Sequence, residues 1–115
     1  MKRRSWAIAI AVTVGCAQSV PPPDASLGSA VDMVRSAWNV GAQNDKNAAE
    51  HLRRANAEID RAITLMREGK NAEASRLLAR ANVDAELALE LGREGIVQKH
   101  ARDAQAVVQA AREGK

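Results

Sequence analysis

Between Ala48 and Met66, apolar residues return every three or four positions: Ala48, Leu52, Ala55, Ile59, Ala62 and Met66, with Ile63 widening the line. That period puts the side chains on one face of an α-helix, whereas a strand would scatter them over both faces. The segment is therefore helical. Most of the stripe is alanine, which gains far less on burial than the roughly 1.5 to 3 kcal/mol of a leucine, so the shared core must be thin. Asn47 and Glu50 stand at capping-box spacing at one end of this helix, and Gly69 takes the C-cap position at the other. Asn71 is placed to cap a further helix. Gly69-Lys70-Asn71 then forms a tight turn, and so short a connection makes the two helices antiparallel.

The third helix begins at Ala72 and carries Ala74, Leu78, Ala81, Ala85 and Ala88 on one face. Leu77, Leu87, Leu89 and Leu91 spread around its other sides, as expected of a helix touched by more than one neighbour. A weak echo runs through this half: Arg54-Ala55-Asn56 and Arg67-Glu68-Gly69 return 26 residues later as Arg80-Ala81-Asn82 and Arg93-Glu94-Gly95, and Arg112-Glu113-Gly114 follows. If Gly95 acted like Gly69, the helix would stop there. No Ser, Thr, Asp or Asn follows to cap a new helix, so the sequence predicts continuation, with room for a kink. Gly92 and Gly95 each cost about 1 kcal/mol relative to Ala inside a helix. Beyond them Val97, Ala101, Ala104, Val108 and Ala111 form another heptad stripe, which projects past the hairpin and needs a partner.

Upstream, Asp24 or Ser26 offers an N-cap for a helix over 25–42. Leu27, Val31, Val34, Trp38 and Gly41 make its apolar stripe, with Trp38 as the bulky plug. Gly41 and the polar Gln43-Asn44-Asp45 end it. The predicted fold is all-α: an antiparallel helical hairpin or three-helix bundle over 26–115, with a long C-terminal helix and coiled-coil-like alanine packing. A tetratricopeptide-type repeat is the alternative, but its helices run nearer twelve residues and these are longer.

The N-terminus reads as an address. Lys2, Arg3 and Arg4 precede an uncharged run from Trp6 to Val14, the layout of a secretory signal. The run is about half the roughly twenty residues a membrane span needs. Val12-Thr13-Val14-Gly15-Cys16 resembles a bacterial lipobox, with Thr13 at the usual leucine position. The resemblance implies cleavage after Gly15 and lipidation of the Cys16 thiol by diacylglycerol and acyl chains such as palmitate. Residues 1–15 are then the signal and 16–25 a lipidated tether, kept extended by Pro21-Pro22-Pro23. A lone exposed thiol is otherwise an odd thing to leave in an oxidising compartment. Ala17, where Asp would retain such a protein at the inner membrane, favours the outer membrane facing the periplasm. Losing Lys2, Arg3 and Arg4 turns 17 basic residues against 14 acidic into 14 against 14. The mature body is formally neutral. With Phe and Tyr absent as well, a nucleic-acid partner is not expected.

The lipobox, the Pro-rich spacer, the helix ending in Gly41-Ala42, Leu52 with Ala55, the turn at Gly69 and above all Ala81-Asn82-Val83-Asp84-Ala85-Glu86-Leu87-Ala88 resemble the bacterial envelope lipoproteins of domain of unknown function 4398. The likeness spans nearly the whole mature chain, although Asn47-Ala48-Ala49 replaces the family's Ala-Pro entry to the second helix. It implies a cell-envelope location and no chemistry. Some relatives continue into an OmpA-like peptidoglycan-binding domain, and none is expected in these residues.

The polar residues do not assemble into a local catalytic or metal motif. His51 and His100 are far apart and lack partners at ligand spacing, so His51 reads as a boundary residue and no metal is expected. Asp84 with Glu86, and Glu58 with Asp60, are two apart and diverge on a helix, so they read as solvated charges. Glu50 with Arg54, and Lys99 with Asp103, are ordinary spacing-four ion pairs. No phosphate loop or nucleophile elbow appears, so the chain is expected to be non-enzymatic and free of cofactors other than the lipid on Cys16. The expected function is a membrane-anchored helical module binding another envelope protein or a copy of itself. The alternative is a wall tether: Lys115 resembles the C-terminal lysine by which murein lipoproteins, also alanine-rich coiled coils, join peptidoglycan.

Overall fold

The structure, a computed structural model, describes residues 19–114. The signal, the proposed cleavage and lipidation positions Gly15 and Cys16, and Lys115 lie outside the described residues. Three helices follow one another: α1 (Asp24–Asn39), α2 (Lys46–Arg67) and α3 (Asn71–Glu113), with a single 3-10 turn (Ala42–Asn44) between α1 and α2. The all-α bundle with a long last helix is as the periodicity predicts. The 43 residues of α3 span about 64 Å.

α3 is the common wall on which both other helices pack. The turn into it closes as a Schellman motif: Gly69 adopts φ +76°, its N–H donates to the Met66 carbonyl at 3.1 Å, and Lys70 N–H donates to Leu65 O at 2.8 Å. α2 therefore runs back along α3. α1 runs parallel to α3, held at three heights. Asn71 Nδ2 donates to the Val20 carbonyl at 2.7 Å, Ser29 Oγ donates to Asn82 Oδ1 at 3.2 Å, and the Val40–Ala42 corner rests on Gly92. Asn71 thus anchors the incoming tether and does not cap α3, whose N-cap is Lys70. The cap of α2 also lies elsewhere than at Asn47. Gly41, at φ +78°, and the 3-10 turn lead to an extended Asp45, whose Oδ1 accepts from Ala48 N–H at 2.8 Å, placing Asn47 inside the first turn.

Among the described residues, ten of the fifteen buried apolar residues are alanines, and Leu78 is the largest fully buried side chain. Alanine faces favour the short end of the roughly 8–10 Å range of helix separations, where contact comes from backbones as much as side chains. The predicted stripe of α2 is buried from Ala48 to Ala62, with Ile63 and Met66 half-buried at its end, and that of α3, from Ala74 to Ala88, is buried position for position. That of α1 is not. Its buried face is Ala30, Val34 and Ala37, with Leu27 and Met33 half-buried, while Val31 is 38% and Trp38 48% exposed. Trp38 is not a plug: a helix settling against two alanine-lined neighbours turns its smallest residues inward, because an indole would hold the backbones apart.

α3 continues unbroken through Gly92 and Gly95. Gly92 is buried, and a Cβ there would lie 2.9 Å from Val40 Cγ2 and 3.1 Å from Ala42 Cα. Its missing side chain lets the α1–α2 corner sit on the helix. The same corner overhangs the next turns, Asn44 and Asp45 sharing an open cleft with Ile96, Lys99 and Arg102, and residues 96–114 are all exposed.

Candidate functional site

Two features stand out, and the first is a polar seam where α2 crosses α3. His51 and Glu58 are one heptad apart on α2 and so share a face; Arg80 and Asp84 are four apart on α3 and meet them. Asp84 Oδ1 lies 2.7 Å from His51 Nδ1, the two side chains being 21% and 20% exposed. Arg80 Nε approaches Glu58 Oε1 at 3.3 Å. The Glu58 side chain is only 15% exposed, and its Oε2 is buried with no hydrogen-bond partner among the described residues. Burial and then the negative charge of Asp84 raise the Glu58 carboxyl from its ordinary value, against the pull of Arg80 and Arg54.

Glu58 and Asp84 are therefore not solvated-face charges; they belong to the helix–helix contact, whereas Asp60 and Glu86 are exposed. Only the register of α2 on α3, counted outward from the turn at Gly69, brings His51, Glu58, Arg80 and Asp84 together. That count was the signal available in the sequence. The groove beside the seam, lined by Arg54, Glu58, Ala79, Arg80, Val83 and Asp84, is open to solvent. Among the described residues no Ser, Thr or Cys hydrogen bonds to His51, and no three His, Cys, Asp or Glu side chains converge to hold a metal. His–Asp and Arg–Glu pairs facing each other across two helices fix their register; they do not by themselves present a nucleophile.

The second feature is the free half of α3. Val97 is 67%, Val107 69% and Val108 51% exposed, and Ala101, Ala104 and Ala111 share the stripe of Val97 and Val108. His100 is exposed here, remote from His51. The predicted ion pairs form: Glu50 with Arg54 on α2, and Lys99 with Asp103 at 2.8 Å on the arm, where the Lys99 hydrogen bond and charge hold the Asp103 carboxyl below its ordinary value. Among the described residues no helix is long and apolar enough to cross a membrane.

The family model described as domain of unknown function, DUF4398, matches residues 25–104. That span takes in α1, α2 and most of α3. The chain belongs to the DUF4398 family. The DUF4398 match covers the whole seam and the first turns of the arm, and Val107, Val108 and Ala111 lie beyond it. No curated protein and no solved structure matches the chain.

Proposed function

We propose that this DUF4398 chain is a non-enzymatic lipoprotein of a bacterial envelope, anchored through acyl chains on Cys16 at the outer membrane and facing the periplasm. In this reading residues 16–25 hold the body off the lipid, and the free half of α3 engages another envelope protein or a second copy. The observation that carries it is that arm: a helix extending beyond its own bundle with an apolar stripe in solvent. The seam supports the same reading, since its charges face each other across a helix contact. Two or more acyl chains anchor stably where one does not.

Intact-mass analysis of the native protein tests the anchor. The expected mass lacks residues 1–15 and carries acyl groups on Cys16, and Cys16→Ser abolishes both changes. An unprocessed, unacylated N-terminus overturns the proposal.

A second reading, the wall tether through Lys115, gains from one observation. The tether meets the body at Asn71, the first residue of α3, and the arm ends at the helix's other end, about 64 Å away. A lipid at one end and an amine at the other suit a spacer. A muropeptide adduct on Lys115 after lysozyme digestion separates this reading from the first.

A further inference from the structure

The arm's stripe lies on the side of α3 that the body leaves free. Ala85 and Gly92, both buried against the other helices, are one heptad apart, and the same step continues through Lys99 to Ala106. That line runs diametrically opposite the line of Val97, Ala101, Ala104, Val108 and Ala111. A helix laid along the stripe therefore meets neither α1 nor α2.

We infer that the arm pairs antiparallel with the arm of a second copy of this chain, which names the partner left open in the reading above and rests on it. The charges decide the orientation. In a parallel pair Glu94, the heptad position just before Val97, stacks on the partner's Glu94. In the antiparallel pair Val97 lies against the partner's Val108 and Ala101 against the partner's Ala104, and Glu94 then falls beside the partner's Arg112, twice per dimer. Between these ends the flanks of the stripe are the neutral Gln98, Gln105 and Val107 with His100, so no like charges oppose each other. Length agrees with charge. In this register each Gly92, on which the α1–α2 corner rests, sits opposite the partner's Glu113, and that corner lies on the Gly92–Lys99 side of the helix, away from the stripe, so the two bodies do not collide. The two tethers leave from the outer ends, and the pair lies along a lipid surface.

Sedimentation of the full chain in detergent, over a range of concentrations, tests this. The native protein should show a monomer–dimer equilibrium. Glu94→Arg or Arg112→Glu alone should weaken it about three- to tenfold with helicity unchanged, since two exposed ion pairs become repulsive. The combined swap should restore it, a rescue that parallel arms cannot give. A protein monomeric at every concentration overturns the inference, as does a dimer indifferent to the single reversals. So does an arm that crosslinks in cells to a different protein while the purified chain stays monomeric. The acyl mass on Cys16 in the same sample reports on the anchor separately, so failure of the pairing and failure of the lipoprotein reading are told apart.

Discussion

Within α3, the stretch from Asn71 to Gly92 and the stretch beyond it are built alike and live differently. Both are alanine-rich, both keep a heptad stripe, and one unbroken backbone runs through them. In the first, Ala74, Leu78, Ala81, Ala85 and Ala88 are fully buried; in the second, Val97 and Val108 are more than half exposed. An apolar period states that a helix has a face to cover. It does not state what covers it. Before Gly92 the stripe is core because α1 and α2 reach it; beyond Gly92 the stripe lies on the opposite face of the helix and stays in solvent.

The largest expected effect comes from deleting the bulk of one residue in each half. Leu78→Ala removes the largest fully buried side chain and should cost about 2 to 5 kcal/mol in urea unfolding. Val108→Ala should stay within about 0.5 kcal/mol in dilute monomer. Amide hydrogen exchange should divide the helix at the same place, with slow amides before Gly92 and fast ones beyond Val97. Uniform protection along α3 at low concentration would break the comparison.

The two glycines sharpen it at the next scale. Gly95→Ala adds a methyl where nothing lies within 4 Å and should stabilise the helix by up to about 1 kcal/mol. Gly92→Ala makes the same backbone gain but drives a methyl into Val40 and Ala42, and overpacking costs about 1 to 3 kcal/mol, so the net should be a loss of about 1 kcal/mol. Opposite signs in the melting temperatures of two chemically identical substitutions three residues apart are the outcome to check.

The smallest effect is electrostatic. Glu58, on the body, has its pKa raised by burial and by Asp84. A raised carboxyl pKa costs stability once the group ionises, so Glu58→Gln should be the more stable form at pH 7. The advantage should close as pH falls into the carboxylate range near about pH 4. Asp103, on the arm, has its pKa lowered by Lys99. Its charge favours the folded helix above the unfolded-state pKa, and Asp103→Asn should lose that small benefit at neutral pH and match the native chain in acid. Urea titrations at the two pH values should move the two variants in opposite directions.

Where local chemistry decided the outcome, it was readable. Gly69 has to take a left-handed conformation to close the turn, and the turn's shortness then imposes antiparallel packing of α2 on α3. Where several elements had to agree, it was not. Reading α1 by hydrophobicity points Val31 and Trp38 inward, but the groove between two alanine faces admits Ala30 and Ala37. Asn47 and Asn71 both look like caps. Asp45 takes the first role because Gly41 and the 3-10 turn deliver it in an extended conformation, and the Val20 carbonyl draws Asn71 away from the second.

The chain's own pattern determined that there are three helices, that the last two fold back on each other, and which faces of α2 and α3 are apolar, because periodicity and a glycine turn act within a few residues. Tertiary structure decided that Trp38 stays in solvent, that α3 leaves its bundle after Gly92, and that the register counted from Gly69 holds, so that His51 meets Asp84 beside Glu58. Those outcomes depend on register and on the space left between backbones, and neither exists until the helices are packed.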